Sequence, residues 1–241
     1  MTVPCSYMPN SDRHTPMGLI VLQSDETLEP EFKRYFAADP EPLYINRIPS
    51  GLVVTPDSLS DMKAHIPAAA DLLPKAMPFS VVGYGCTSAS AIIGHDMVAD
   101  LIRSTCNTRE VTNPLKAAIA CAKSKGVSKL ALLSPYTEDV NEPLRKAFSK
   151  GGLSTDVFGT FGEPEEARVV RITKESVIEG ACSLGQDPAV EAVFLSCTNL
   201  PTIDAIPEVE QRIGKPVLSS NQSLAWHMKT LGAQKVLNES Q

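Results

Sequence analysis

The chain alternates short apolar runs with longer segments in which apolar residues recur at helical spacing. Short continuous apolar runs are typical of buried parallel strands, and they predict strands at 17–22, 43–48, 79–82, 129–133, 155–158, 192–195 and 216–218. The intervening segments predict helices at 29–37, 55–73, 90–103, 115–124, 141–149, 173–184, 203–213 and 221–231. Strands that alternate with helices from end to end indicate an α/β fold with parallel sheets and helical crossovers.

Prolines and polar caps mark several of the helix boundaries. Thr55-Pro56 and Asn113-Pro114 each place an N-cap residue before a proline at the first helical position. Pro67 lies inside the segment 55–73, where a proline removes a hydrogen bond and is expected to bend or split the helix.

One strand motif occurs twice and divides the chain. The sequences VVGYGCTSAS at 81–90 and AVFLSCTN at 192–199 each end an apolar strand on a Cys-Thr pair. This repeat predicts two similar α/β lobes with parallel sheets related by pseudo-two-fold symmetry. We assign 17–111 and 216–241 to lobe 1 and 112–215 to lobe 2, and we expect 1–16 to be a flexible tail.

Composition narrows the class of protein. The 241 residues are 43% hydrophobic and 21% charged, with a formal net charge of −6, so nucleic acid is not an expected partner. The chain has no apolar run of about 18 residues that would span a membrane, and its polar N-terminus lacks a secretory signal pattern. We therefore expect a cytoplasmic protein that does not bind membranes. The apolar helix at 55–73 is a candidate interface for a homo-oligomer, either a dimer or a tetramer.

The six cysteines do not form a disulfide or metal pattern. No C-x-x-C pair occurs, and the four histidines stand apart from the cysteines and from one another, so we expect no metal site. Gly83-x-Gly85 lacks the third glycine of a dinucleotide fingerprint. We assign Cys106, Cys121 and Cys182 to the core, because cysteine is among the most buried residue types.

Polar side chains gather at the predicted carboxyl ends of the strands, where ligands bind in open α/β sheets. These candidate site residues are Ser24, Asp25, Cys86, Thr87, Ser88, Tyr136, Cys197, Thr198 and Asn199. Cys86 and Cys197 are the candidate catalytic residues, and the others are candidate substrate-binding residues. Both cysteines precede predicted helix starts, where backbone N–H groups favour a thiolate.

Two thiols across one pocket suit two kinds of chemistry. They can remove a proton from a carbon beside a carboxylate and return it on the other face, or one thiolate can add to a polarised double bond while the other moves the proton. A Cys-His hydrolase would need His227 beside a thiol, whereas His227 and Trp226 are better explained by packing on the last helix. A non-catalytic module that binds a metabolite is the rival from another class.

The motifs resemble the aspartate/glutamate racemase superfamily, and most closely its branch of maleate cis-trans isomerases and arylmalonate decarboxylases. The segments that carry the resemblance are GYGCTS at 83–88, SPY at 134–136, SCTN at 196–199 and PVLSSNQ at 216–222. The opening GLIVLQSDET at 18–27 is similar to the ectoine-utilisation proteins of that branch.

The resemblance implies a cofactor-independent enzyme of two similar Rossmann-like lobes, with the site between them, that acts on a small carboxylate. Cys86 and Cys197 would be its two thiols, used as base and acid by a racemase. A maleate isomerase would instead add Cys86 to the alkene, allow rotation, and eliminate. Tyr136 matches a site tyrosine that donates to a carboxylate. Decarboxylases of the branch keep only the second cysteine, so Cys86 argues against decarboxylation.

Two positions depart from the maleate isomerases. Those enzymes carry asparagines where this chain has Asp25 and, in our alignment, Glu166. An ionised acid repels a dicarboxylate and is costly to bury without a partner. We therefore include Glu166 among the substrate-binding residues and expect a substrate with a cationic or amide nitrogen, such as an amino acid or an ectoine-derived compound.

Overall fold

The computed structural model describes residues 2–8 and 14–233. All the strands named here lie in two parallel four-stranded sheets. Their bounds are β1 Met17–Leu22, β2 Leu43–Ile48, β3 Phe79–Gly85, β4 Thr108–Thr112, β5 Lys129–Ser134, β6 Ser154–Thr160, β7 Ala192–Leu195 and β8 Val217–Ser219.

Helices connect these strands and cover both sheets. Their bounds are α1 Leu28–Tyr35, α2 Pro56–Asp61, α3 Ile66–Asp71, α4 Thr87–Ile93, α5 His95–Arg103, α6 Pro114–Ser124, α7 Glu138–Lys150, α8 Glu166–Val169, α9 Lys174–Gly185, α10 Ile206–Ile213 and α11 Ser220–Ala233. A 3-10 turn at Met62–His65 separates α2 from α3, so the predicted helix at 55–73 is split near Pro67. Within the described ranges, no helix combines the length and apolarity needed to cross a membrane.

The two sheets repeat one topology. The first has the order β2-β1-β3-β4 and the second β6-β5-β7-β8, so each half places its own second, first, third and fourth strands side by side. Cys86 follows β3 and Cys197 follows β7, the third strand of each half. The repeated motif therefore occupies equivalent positions, and the predicted α/β fold with two similar lobes is confirmed.

Several local predictions differ from the structure. The sequence pattern did not predict β4 or α8. The predicted helix at 90–103 is two helices, because Gly94 adopts φ +90° between α4 and α5. The last segment was assigned to lobe 1, but β8 pairs with β7 in the second sheet, and only α11 returns to pack on β3 and β4.

The N-terminal segment contributes little to the fold. Residues 2–8 are exposed and without regular secondary structure, and the Pro16 carbonyl accepts a hydrogen bond from the Ser80 N–H at 2.9 Å. The predicted flexible tail at 1–16 includes residues 1 and 9–13, and the predicted lobe 1 includes 234–241; these lie outside the described residues.

The helix α11 packs closely onto the first sheet because Gly83 has no side chain. A Cβ at Gly83 would lie 2.7 Å from the Met228 sulfur. On the same helix, His227 Nδ1 lies 2.7 Å from the Thr112 hydroxyl and its ring stacks on Trp226. Burial lowers the pKa of His227 to about 4, so it is a neutral packing group, as predicted.

Gly85 allows β3 to deliver Cys86 beside α1. A Cβ at this position would lie 2.5 Å from Leu28 Cδ2 and 3.0 Å from the Ile20 carbonyl oxygen. We expect Gly85→Ala to lower the free energy of unfolding by about 1–3 kcal/mol through overpacking, measured by urea denaturation. The matched control is Gly232→Ala in α11, where the nearest atom is at 3.4 Å. Equal stability of the two variants would contradict this account.

Candidate active site

Cys86 begins α4 at the end of β3. It is the N-cap of that helix, and its sulfur accepts a hydrogen bond from the Ala89 N–H at 3.4 Å. Thr87 and Ser88 follow in the first turn and are buried. The Ser88 hydroxyl has no hydrogen-bond partner among the described residues, so it is free to donate to a ligand.

Cys197 holds an unusual backbone conformation after β7. Its φ of +94° lies in the region that side chains rarely adopt. The Ser220 hydroxyl oxygen accepts from the Cys197 N–H at 3.0 Å and also lies 2.8 Å from the Thr87 hydroxyl. Ser220 therefore connects the two cysteine motifs. The sulfur of Cys197 accepts from the Asn199 N–H at 3.3 Å.

A chain of short hydrogen bonds leads away from Cys197. The Tyr136 hydroxyl lies 2.9 Å from the Cys197 sulfur and donates to Glu166 Oε1 at 2.6 Å. The Asn199 side-chain amide donates to Glu166 Oε2 at 2.6 Å, and its own oxygen accepts from the Glu26 N–H at 2.9 Å. Tyr136, Glu166 and Asn199 therefore each have two hydrogen-bond contacts within this network.

Asp25 lies in the loop after β1 and is buried. Its Oδ1 accepts from the N–H groups of Thr27 and Leu28 at 2.8 and 2.7 Å. The nearby Thr198 hydroxyl donates instead to the Gly85 carbonyl, and Asp25 Oδ2 has no partner in the described part of the chain. Burial raises the pKa of Asp25, while these N–H groups and Arg47 favour its ionised form.

Seven of the predicted site residues line one pocket. They are Cys86, Thr87, Ser88, Tyr136, Glu166, Cys197 and Thr198. Ser24, Asp25 and Asn199 lie outside this lining: Ser24 Oγ contacts Ser50 Oγ at 3.0 Å, and Asn199 contacts Glu166. Glu166, which the alignment with the maleate isomerases suggested, therefore lies in the pocket lining.

Sequence reasoning missed the residues that cover the pocket. They come from the segment between β2 and α3, and are Ser50, Gly51, Val54, Ser58, Leu59 and Met62. The Val54 N–H donates to the Pro164 carbonyl, and the Glu166 N–H donates to the Leu52 carbonyl, at 2.9 and 3.1 Å. The cover is therefore paired with the backbone that carries Glu166. The sequence signals near this cover were the Thr55-Pro56 cap and the predicted helix at 55–73, and neither indicated contact with the pocket.

The covered pocket is small. Its free volume is about 10 Å³, roughly the room that one water molecule needs. A molecule larger than water can therefore enter the pocket only if the lining moves. The outer side of the cover faces solvent, and Leu52 on that side is 76% exposed.

Burial keeps both thiols protonated. It raises the pKa of Cys86 to about 12 and that of Cys197 well above its usual value. The charge of Glu166 raises both pKa values further. The Ala89 N–H lowers the pKa of Cys86, and the Tyr136 hydroxyl lowers the pKa of Cys197. The pKa of Glu166 is itself raised by burial and lowered by its bonds from Tyr136 and Asn199.

Three of the other cysteines are in the core, as predicted. Cys106, Cys121 and Cys182 are buried and free of disulfides. In residues 2–8 and 14–233, no group of three or more His, Cys, Asp or Glu side chains is arranged to hold a metal ion.

Sequence comparison places this chain in a known family. The family model described as arylmalonate decarboxylase matches residues 46–240. The chain belongs to the arylmalonate decarboxylase family. Members of this family are similar to it over different spans. The arylmalonate decarboxylase of Bordetella bronchiseptica is 36% identical over 107 residues, which cover 43% of this chain and 44% of that protein.

Maleate isomerases match a larger share of the chain. The maleate isomerase of Alcaligenes faecalis is 26% identical over 234 residues, 90% of this chain and 91% of that protein. The crystal structure of a maleate isomerase from Pseudomonas putida S16 with maleate superimposes with a TM-score of 0.81 at 21% identity, covering 90% of this chain and 92% of that one. The predicted membership of this branch is confirmed, and the relatives are enzymes of the isomerase or lyase type.

Proposed function

We propose that the protein is a cofactor-independent racemase or epimerase that uses Cys86 and Cys197 as an acid/base pair. The observation that carries the proposal is that these two thiols, from equivalent strand ends of the two lobes, line one pocket. A thiolate on one side removes the proton beside a carboxylate. The thiol on the other side then returns a proton to the opposite face.

The charges around the pocket favour a substrate that carries nitrogen. Among the described residues that line it, Glu166 is the one carboxylate, and none is Lys, Arg or His. A dicarboxylate would bring two further negative charges to a buried acid, which is costly. An ammonium or amide N–H would offset the charge of Glu166, and the free hydroxyl of Ser88 can donate to the substrate carboxylate. Amino acids and ectoine-derived diaminobutyrates have this pattern.

The second candidate is maleate cis-trans isomerase activity. The match to the Alcaligenes faecalis enzyme, which extends over 90% of the chain, favours it. In this reaction Cys86 would add to one alkene carbon as the other gains a proton, and rotation and elimination would follow. A module that binds a metabolite without turnover is the third candidate, and both thiols would then be dispensable for binding.

Proton NMR in D₂O tests these candidates against a panel of aspartate, glutamate, maleate and diaminobutyrate derivatives. We expect deuterium to enter the α-position of an amino-acid-like substrate. Conversion of maleate to fumarate, without α-exchange in any amino acid, would support the isomerase and contradict our interpretation of Asp25 and Glu166. Binding without chemical change, detected by saturation transfer to the ligand signals, would support the metabolite-binding module.

A further inference from the structure

We infer that Glu166 is a positioning residue that takes the proton of Cys197 through the Tyr136 hydroxyl. The inference rests on the proposed function in so far as it names Cys197 as the thiol that becomes the base. It concerns the ionisation of the thiol itself, which can be measured without a substrate.

The directions of the hydrogen bonds define this path. Tyr136 has one hydroxyl proton, and it donates this proton to Glu166 Oε1 at 2.6 Å. The contact of 2.9 Å between the Tyr136 oxygen and the Cys197 sulfur must then be donated by the S–H of Cys197. All three groups are buried, so the path is shielded from bulk water.

Proton transfer along this path conserves charge. The Cys197 S–H bond breaks as its proton passes to the Tyr136 oxygen, and the former hydroxyl proton of Tyr136 passes to Glu166 Oε1. The products are a Cys197 thiolate, an intact Tyr136 hydroxyl that now donates to sulfur, and a neutral Glu166. The pocket holds one negative charge before and after the transfer.

Conservation of charge matters because an independent ionisation would be unfavourable. Burial raises the pKa of Cys197 well above its usual value, and losing its proton to solvent would place a second charge beside Glu166. Burial also raises the pKa of Glu166, which makes it a better proton acceptor. The other titratable groups that face the pair are Asp25, from the loop after β1, and Cys86, at the start of α4.

Glu166 is held in place for this path by contacts at its second oxygen and at its backbone. Asn199 donates to its second oxygen, and Asn199 is in turn oriented by the Glu26 N–H. The backbone N–H of Glu166 is bound to the Leu52 carbonyl of the pocket cover. These contacts fix the carboxylate against Tyr136 without using any charged partner.

Alkylation of Cys197 by iodoacetamide at a series of pH values tests the inference. Peptide mass spectrometry follows Cys197 and Cys86 in the same sample, and Cys86 reports access to the shared pocket. In the wild type, we expect a Cys197 rate that is nearly constant over about pH 6–8, because one proton is shared within the pair. In Glu166→Gln, we expect the rate to climb about tenfold per pH unit over that range, as for a lone thiol.

Two further variants keep the test decisive. Tyr136→Phe breaks the path but leaves the charge of Glu166, and should also lose the constant region. Glu165→Gln, whose exposed side chain pairs with Arg168 at 3.3 Å, should keep the wild-type profile.

Simple repulsion by Glu166 predicts the opposite result, which is faster alkylation of Cys197 in Glu166→Gln at every pH. That result, or an unchanged profile in Tyr136→Phe, would overturn the inference. Constant wild-type alkylation in a protein that turns over no substrate would overturn only the proposed function.

Discussion

Cys86→Ser and Cys197→Ser are each expected to lower the rate of α-proton exchange by about 10²–10⁴-fold, the usual contribution of a general acid or base. A serine hydroxyl is close to a thiol in size but far less acidic, so the pocket keeps its shape while the proton carrier is lost. Proton NMR in D₂O with the substrate found in the panel measures the rate. Cys121→Ser, a buried position on α6 outside the pocket, is the matched control.

The pattern across the two variants distinguishes the reactions. A racemase needs both thiols, so both variants should lose racemisation. An isomerase that adds Cys86 to an alkene should instead give a stable mass increase on Cys86 in Cys197→Ser treated with maleate. That adduct would contradict the racemase. Full activity in either cysteine variant would contradict every two-thiol mechanism.

Neutralising Asp25 and Glu166 together is expected to change which ligands bind. A hydrogen bond to a charged group contributes about 1.5–3 kcal/mol, so loss of the carboxylates should weaken an amino-acid ligand by roughly 10- to 100-fold. The same change removes repulsion and should strengthen binding of maleate. Calorimetry on the double variant Asp25→Asn/Glu166→Asn measures both dissociation constants.

The control for this experiment changes a solvent-exposed charge instead of a buried one. Glu26 lies in the same loop as Asp25, but its side chain is 59% exposed near Arg171. Glu26→Gln keeps the backbone N–H that orients Asn199 and should leave both affinities unchanged. If the double variant also keeps the wild-type order of affinities, the proposed nitrogen-bearing substrate is wrong.

Three strands have the bounds that the sequence predicted, and two of them are buried on both faces. The bounds of β1, β2 and β7 agree with the prediction, and β1 and β7 are buried at every position. A central parallel strand needs apolar residues throughout, so its pattern is visible without knowledge of its partners. The N-caps at Thr55 and Asn113 were also predictable, since each depends on contacts within a few residues.

The elements that were missed depend on tertiary contacts. β4 has the sequence TREVT, and only its pairing with β3 at the edge of the first sheet makes it a strand. Its central residues Arg109 and Glu110 are half-buried, so no apolar run marks it. The place of β8 beside β7 is likewise a matter of topology, which the local sequence does not specify.

The candidate site was predictable where it is made of strand ends and not where a distant segment folds over it. Cys86, Cys197 and Tyr136 lie within two residues of a strand end, and parallel sheets bring such positions together. Glu166 was located by resemblance alone. The cover from Ser50 to Met62 meets the pocket through pairing with 164–166, a long-range contact without a local pattern.

The position of α11 couples the stability of the two lobes, because this helix contacts both sheets. The helix leaves β8 of the second sheet and packs against β3 and β4 of the first, and it also contacts α6. Loss of either sheet would strip this helix from the other and expose its apolar side. The two halves therefore cannot melt one after the other as separate domains do. The chain should unfold in a single cooperative transition, and a fragment that ends after β8 should fail to fold.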